Sequence, residues 1–162
     1  MKKEEQIIQA LRQVKDPEVP VLDIVEMGIV RGVEITESQI IITITPTYTG
    51  CPAMRVIEEE INQVLKTEGY ENVEVKTVLF PAWTTDWLTE EARLKLKAYG
   101  IAPPEKVNEV DLNPFNWEEK KVACPFCESM NTSLTSQFGS TACKALYYCN
   151  NCQQPFEHFK CI

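Results

Sequence analysis

Residues 29–52 read IVRGVEITESQIIITITPTYTGCP, and this stretch is the most informative about the fold of the first part of the chain. It contains two runs rich in β-branched residues, 29–35 and 39–45, separated by a short polar segment. This composition is typical of a β-hairpin. Proline is favoured at the first position of a helix, so Cys51 and Pro52 predict a helix that begins here with Cys51 as its N-cap. The sequence therefore predicts a hairpin followed closely by a helix.

Apolar residues at regular spacing flank this hairpin and predict the other elements of the first part. The pattern indicates helices over residues 3–14, 52–68 and 89–99, and a third strand over residues 73–79. A short helical turn is expected over residues 21–27. This order is typical of an α/β (α+β) domain in which helices accompany a small mixed three-stranded sheet.

Two pairs of cysteines lie in the last third of the sequence, Cys124 with Cys127 and Cys149 with Cys152. Such C-x2-C pairs are typical of a zinc ribbon, because each short turn brings two thiolates to one tetrahedral site. We predict a structural Zn²⁺ in a small β module, with iron as the second choice because it also accepts four thiolates. The alternative is a disulfide or a redox pair.

Composition favours the metal over the disulfide. Seven cysteines, an odd number, fit poorly with a complete set of disulfides. The residues after Met1 are charged rather than apolar, and no run approaches the roughly 18 continuous apolar residues of a membrane span. We therefore expect a cytoplasmic protein without a membrane partner, in a compartment that keeps cysteines reduced.

The charge of the chain argues against nucleic acid as a partner. The net charge is -8, and the excess of carboxylates lies in the first 120 residues. Binding to phosphates requires a basic stripe, which neither part of the sequence shows.

Composition also divides the sequence into three parts. Residues 1–102 carry the predicted α/β domain. Residues 103–121 open with two prolines, lack core-forming periodicity and are interpreted as a linker. Residues 122–162 form the predicted zinc ribbon, which is too small to be stable without its metal.

Cys51 is the single cysteine of the predicted first domain. At a helix N-cap its sulfur would lie near the positive end of the helix dipole, which favours the thiolate. Cys51 is therefore a candidate metal ligand or nucleophile, with Asp16 and Glu18 as candidate ligands or acid–base groups beside it. Alternatively, Cys51 is a buried small apolar residue and both carboxylates are solvated loop residues.

Several motifs carry a resemblance to known families. Residues 16–23 (DPEVPVLD) with 28–30 (GIV), and residues 45–52 (TPTYTGCP), are similar to two motifs of the SufT-like metal–sulfur cluster assembly family. Residues 80–87 (FPAWTTDW), together with the C-terminal stretches FGSTACKALY and PFEHFKCI, resemble the D subunits of ring 1,2-phenylacetyl-CoA epoxidase systems. This second resemblance covers nearly the whole chain.

The resemblance implies a non-catalytic accessory role in phenylacetate degradation, in which an iron–sulfur cluster is assembled or inserted. It implies the reductase subunit as the natural recipient and the oxygenase subunit as a less direct one. Cys51 matches the motif cysteine that contacts the transient cluster or iron, and Asp16 and Glu18 match the acidic motif. The four paired cysteines match the ribbon ligands.

Five further residues are left with open roles. Cys143, His158 and Cys161 are candidates for additional metal ligands, although a lone histidine among aromatic residues is more often packed or exposed. Trp83 and Trp87 are spaced to share one helical face, where core packing is the preferred interpretation and a partner-binding anchor the alternative.

Three hypotheses follow for the whole protein. In the first, Cys51 holds and hands over iron or a cluster, and two chains of a homodimer contribute one cysteine each. In the second, the protein is a structural adaptor or activator of the oxygenase complex. The third, a thiol–disulfide enzyme that uses the first cysteine pair, is less favoured because metal-bound thiolates cannot exchange.

Overall fold

The computed structural model describes residues 2–105 and 121–160 and forms two compact units. The first unit contains Met1–Trp83 and Trp87–Thr89, and the second contains Thr84–Asp86 and Glu90–Ile162. The helix Glu90–Tyr99 and the strand Ile101–Ala102 thus belong to the second unit together with the four paired cysteines. The division of the chain at residue 102 stays a prediction, and the predicted linker falls largely on residues 106–120, outside the described residues.

The first unit consists of two helices and a three-stranded sheet. Its elements in chain order are α1 (Lys3–Leu11), β1 (Val30–Ile35), β2 (Ile40–Ile44), α2 (Ala53–Thr67) and β3 (Val73–Thr77). Strand β2 lies in the centre, antiparallel to β1 and parallel to β3. The predicted mixed three-stranded sheet with helices is confirmed. Because β2 and β3 are parallel, their carboxyl ends lie at the same edge of the sheet.

Both helices bury one apolar face. Helix α2 buries Ile57, Ile61 and Leu65, which recur at four-residue spacing and therefore lie on one side of the helix. Helix α1 buries Ile7 and Leu11 in the same way. Burial of each such side chain contributes about 1.5–3 kcal/mol of transfer free energy, which holds the helices in place.

The two helices of this unit differ slightly from their predicted bounds. Helix α1 ends at Leu11 rather than at residue 14, because the N–H groups of Gln13 and Val14 donate to carbonyls only three residues back. Helix α2 begins at Ala53 with Pro52 as its N-cap, so Cys51 lies one position before the cap.

The second unit contains a helix and a four-stranded sheet. Its elements are α3 (Glu90–Tyr99), β4 (Ile101–Ala102), β5 (Thr132–Ser136), β6 (Lys144–Cys149) and β7 (Pro155–Phe159). The strand order is β4-β7-β6-β5, with β4 parallel to β7 and the other pairs antiparallel. The small β module is confirmed, but its sheet has a fourth, two-residue strand at one edge, because the chain that leaves α3 pairs with β7.

The two tryptophans do not share a helical face, so that prediction is wrong. Only Thr85–Trp87 form a short 3-10 helix, and Trp83 lies outside it. Trp83 is buried, and its indole N–H donates to the carbonyl of Met27 at 2.9 Å. Trp83 therefore packs in the core, as preferred. The Arg31 guanidinium lies 3.6 Å from the centroid of the Trp87 ring, a cation–π contact.

None of the helices in the described part of the chain combines the length and apolar character that crossing a membrane requires.

Candidate metal centre and the Cys51 site

The four paired cysteines converge on one point of the second unit. The sulfur atoms of Cys124, Cys127, Cys149 and Cys152 all lie within 4.8 Å of one another. The cross-pair distances are 3.7 Å between Cys124 and Cys152 and 3.5 Å between Cys127 and Cys149. A disulfide requires an S–S distance of about 2.05 Å, so the sulfurs are arranged as ligands and not as bonded pairs.

Each cysteine pair is folded into the same turn. The residue after each second cysteine, Glu128 or Gln153, has a positive φ, 62° and 60° respectively. Its N–H donates to the carbonyl of the first cysteine, Cys124 or Cys149, at 2.9 Å in both turns. The left-handed conformation costs a non-glycine residue roughly 1–2 kcal/mol, and binding of a metal by the four sulfurs would offset this cost.

Backbone N–H groups also point at the sulfurs. The N–H of Ser129 and the side-chain amide of Asn151, 3.6 Å from the sulfur, lower the pKa of Cys127 to about 6. Burial raises the pKa of Cys152 to about 12, although the N–H of Gln154 opposes this shift. Donors aimed at sulfur stabilise the thiolate, which is the form that binds metal.

The geometry of this site fits zinc. Four sulfurs at a Zn–S distance of about 2.3 Å in a tetrahedron lie about 3.8 Å apart, close to the two cross-pair distances. Four thiolates would also accept iron, so donor type alone does not choose between the two metals. All four ligands come from protein, which leaves no open position for substrate and is typical of a structural site.

Two of the three additional candidate ligands lie in the described part of the chain, and both lie apart from this group. Cys143 is buried, with its sulfur 3.1 Å from the hydroxyl of Thr141. The Nδ1 atom of His158 lies 3.2 Å from the carbonyl oxygen of Ala102. Within the described residues, neither belongs to the four-sulfur group. Cys161 lies outside the described residues.

Cys51 lies in the first unit, in the loop that connects β2 to α2. Its side chain is 8% exposed, and the hydroxyl of Thr47 lies 4.0 Å from its sulfur. Burial raises the pKa of Cys51, and the charge of Glu18 raises it further, although the N–H of Ala53 and the hydroxyls of Thr47 and Tyr48 lower it. The prediction of a stabilised thiolate is therefore wrong, because loss of solvation outweighs the backbone N–H at the start of α2.

Tyr48 connects Cys51 with Glu18, and sequence reasoning did not single it out. Its hydroxyl donates to Glu18 Oε1 at 3.1 Å and also interacts with the sulfur of Cys51. Burial raises the pKa of Tyr48, and the adjacent Cys51 and Glu18 raise it further, so the hydroxyl stays protonated. The only signal in the sequence was its position three residues before Cys51.

Glu18 and Asp16 occupy different surroundings. Glu18 is half-buried and faces Tyr48, as described above. Asp16 is buried, and its Oδ1 accepts the N–H groups of Glu18 and Val19 at 2.7 and 3.0 Å. These bonds shape the turn that presents Glu18. A ligand role for Asp16 stays a prediction, and its visible contacts support the loop.

Two family models match the chain, one for each cysteine site. The model described as "Iron-sulfur cluster assembly protein" matches residues 4–77, which include Cys51. The model described as "PaaD zinc beta ribbon domain" matches residues 113–160, which include the four-sulfur group.

Known proteins resemble the chain at two levels of coverage. It is 47% identical over 153 residues, 94% of this chain and 89% of the relative, to the putative D subunit of the 1,2-phenylacetyl-CoA epoxidase from Escherichia coli (strain K12). An "Fe-S protein maturation auxiliary factor" from Porphyromonas gingivalis is 34% identical over 57% of this chain and 90% of the relative. A crystal structure of a domain of unknown function from Bacillus anthracis matches with a TM-score of 0.55 and 32% identity, covering 57% of this chain and 90% of that one.

Proposed function

This chain belongs to the family of 1,2-phenylacetyl-CoA epoxidase D subunits, and we propose that it is a non-catalytic accessory protein which helps to assemble or insert an iron–sulfur cluster. The proposed recipient is the reductase subunit of the same epoxidase system, with the oxygenase subunit as a less direct candidate. Iron, or the cluster, is the cargo of this protein and is passed on after a transient stay.

One observation carries the proposal: Cys51, Tyr48 and Glu18 form a connected group in the part of the chain that matches the cluster assembly family. A thiol and a carboxylate together offer one soft and one hard donor to iron, and the protonated hydroxyl of Tyr48 connects them. A site with so few sulfur donors holds its cargo weakly, which suits a carrier better than a resident electron-transfer centre.

The chemistry of this exchange balances without a redox step. When iron binds, the thiol of Cys51 loses its proton and its sulfur forms a bond to the metal. During transfer, a thiolate of the recipient forms a bond to the same iron, the bond to Cys51 breaks, and Cys51 takes up a proton again. The raised pKa of Cys51 favours this last step, because the protonated thiol does not compete for the metal.

The four-sulfur group has a different proposed role. Cys124, Cys127, Cys149 and Cys152 would hold one Zn²⁺ permanently, and this metal would stabilise the two turns of the second unit. Because it lies in the other unit of the chain, it can be tested separately from Cys51.

The test is a measurement of zinc, iron and acid-labile sulfide per chain after strictly anaerobic purification. We expect one zinc, together with substoichiometric iron and sulfide that disappear in Cys51→Ala while the zinc remains. Buried Cys143→Ala is the matched control and should keep both contents unchanged. One zinc without iron or sulfide under every loading condition would contradict the carrier function.

The second candidate function is a structural adaptor or activator of the oxygenase complex. The relative is named as a subunit of the epoxidase, and this name favours the adaptor function, because a subunit remains part of the assembled complex. In that case Cys51→Ala would leave epoxidation intact, whereas loss of a ribbon cysteine would prevent assembly of the complex.

A further inference from the structure

The segment that follows β3 exposes two large apolar side chains next to each other. Leu79 is 60% exposed and Phe80 is 88% exposed, the highest value among the large apolar side chains in the described part of the chain. Single exposed apolar residues are common on protein surfaces, so their exposure alone carries no conclusion. What distinguishes this pair is how the segment is held and where it lies.

This segment is fixed at both ends. Before it, the N–H of Val78 donates to the carbonyl of Ile44 at 2.9 Å, which extends the ladder between β3 and β2 by one residue. After it, Trp83 is buried and its indole N–H donates to Met27. Leu79 and Phe80 are thus presented on a short, anchored loop. An anchored apolar pair loses little conformational entropy when a partner covers it.

The pair lies at the same sheet edge as the Cys51 loop. Parallel strands β2 and β3 both end at this edge, and neighbouring strands are about 4.8 Å apart. The chain that leaves β2 leads to Tyr48 and Cys51, and the chain that leaves β3 leads to Leu79 and Phe80. A protein that binds over Leu79 and Phe80 would therefore lie close to the proposed transfer site.

Charge around this edge indicates what kind of protein that is. Glu18 accepts a hydrogen bond from the neutral hydroxyl of Tyr48, and Glu58 of α2 accepts one from the hydroxyl of Thr77 at 2.8 Å, two residues before Leu79. The first unit contains eight Lys and Arg against fourteen Asp and Glu. Two arginines also lie near this edge, Arg31 at the start of β1 and Arg55, which is paired with Glu59 at 3.1 Å. Because the unit as a whole is negative, a second copy would meet like charge, whereas a partner with lysine or arginine around an apolar pocket would meet opposite charge.

We propose that Leu79 and Phe80 form the docking surface for the recipient, which seats this apolar pair in a pocket bordered by basic side chains. This inference rests on the proposed function, since it takes the partner to be the protein that receives the cargo of Cys51. It assigns recognition to the sheet edge and exchange to the cysteine loop beside it.

The experiment measures binding and transfer separately, with the reductase subunit stripped of its cluster as the probe. The variants are Phe80→Ser, Cys51→Ser and, as a control with the same side chain on the second unit, Phe138→Ser, which is also exposed. We expect Phe80→Ser to raise the dissociation constant of the complex with the reductase subunit tenfold or more. Phe138→Ser and Cys51→Ser should stay within about twofold of the wild type, and Cys51→Ser should abolish transfer. Raising the salt from about 50 to about 300 mM should weaken binding several-fold.

The outcomes distinguish the surface from the function. Unchanged binding and transfer in Phe80→Ser would overturn the docking surface while the carrier function stands. Equal losses of affinity in Phe80→Ser and Phe138→Ser would also refute the docking surface, since the effect would not be specific to this edge. Weakened binding in Phe80→Ser without any transfer by the wild type would keep the surface and refute the carrier function. An affinity that does not depend on salt would refute the claim that basic side chains of the recipient border the pocket. A homodimer that Phe80→Ser dissociates would show that the surface binds a second copy instead of the recipient.

Discussion

The reactivity of Cys51 depends on two neighbouring residues that act in opposite directions. The hydroxyl of Tyr48 lowers the pKa of Cys51, whereas the negative charge of Glu18 raises it and adds to the larger effect of burial. Because the sulfur reacts as the thiolate, each neighbour changes its rate of alkylation. The surroundings of Cys51 therefore keep it protonated until a metal or an electrophile replaces the proton.

We predict that Glu18→Gln accelerates alkylation of Cys51 by iodoacetamide at about pH 8 and that Tyr48→Phe slows it. Removal of a negative charge lowers the pKa of Cys51, and removal of the hydroxyl raises it. One pKa unit changes the thiolate fraction about tenfold, so shifts of severalfold in rate are expected.

The measurement is the rate of mass gain at Cys51 against pH. In the wild-type protein the rate should keep rising through and above the ordinary pKa of a cysteine, because the folded-state pKa is raised. Shifts of the same sign in both variants would contradict these opposite roles.

Gly28 is a second residue with a specific environment. It has a positive φ of 72°, and a Cβ placed on it would lie 2.8 Å from the Cβ of Trp87. We predict that Gly28→Ala destabilises the first unit by about 1–3 kcal/mol, through backbone strain and a contact that cannot relax easily. Gly32→Ala is the control, since a Cβ there meets nothing within 4 Å. Urea unfolding checks the difference, and equal stability of the two variants would refute it.

At the scale of elements, α2 connects the core to the candidate site. Its buried stripe, which contains Ile61, packs in the core, while its first turn follows Cys51 directly. The position of the Cys51 loop therefore depends on how firmly this helix is held. Most of that stability comes from apolar burial rather than from intrinsic helix propensity.

We predict that Ile61→Ala lowers the free energy of unfolding by about 2–5 kcal/mol, because a fully buried side chain leaves a cavity. Val56→Ala, on the exposed side of the same helix, should change it by less than about 0.5 kcal/mol. Chemical denaturation followed by circular dichroism measures both variants. A loss in Val56→Ala as large as that in Ile61→Ala would show that the stripe does not carry the stability of α2.

At the scale of the whole molecule, the two cysteine sites lie in different compact units and call for different experiments. The Cys51 group is connected through side chains on two loops and contains one sulfur. The four-sulfur group is built from two turns with matching hydrogen bonds and offers four sulfur ligands. The Cys51 group suits temporary binding of a metal, and the four-sulfur group suits permanent binding.

We predict that removal of the metal by a strong chelator unfolds residues 121–160 while the first unit keeps its structure, because the small β module depends on its ligands. Limited proteolysis with mass spectrometry should show new cuts in this region only. The metal should remain bound at about pH 7 and be released on acidification, since protons compete with it for the four thiolates. A chelated protein that is cut equally in both units would contradict the predicted division.

Features that depend on local order and spacing could be predicted from the amino-acid sequence. The hairpin in residues 29–45, the buried stripe of α2 and the two C-x2-C pairs follow from periodicity and from the short reach of a tight turn. Two motifs around Asp16 and Cys51 also indicated the cluster assembly family, whose model matches residues 4–77. These signals survive folding because each involves residues that are close along the chain.

Features that join residues far apart along the chain depend on the three-dimensional fold. The fold places β4 in the ribbon sheet, because β4 pairs with β7, which lies more than fifty positions later in the chain. It reversed the expected pKa shift of Cys51, because burial and the charge of Glu18 outweigh the backbone N–H that local sequence predicts. It also brought Tyr48 to Glu18, thirty residues away, and the ends of β2 and β3 to one edge. Solvation and electrostatics depend on three-dimensional distance, which spacing along the chain does not specify.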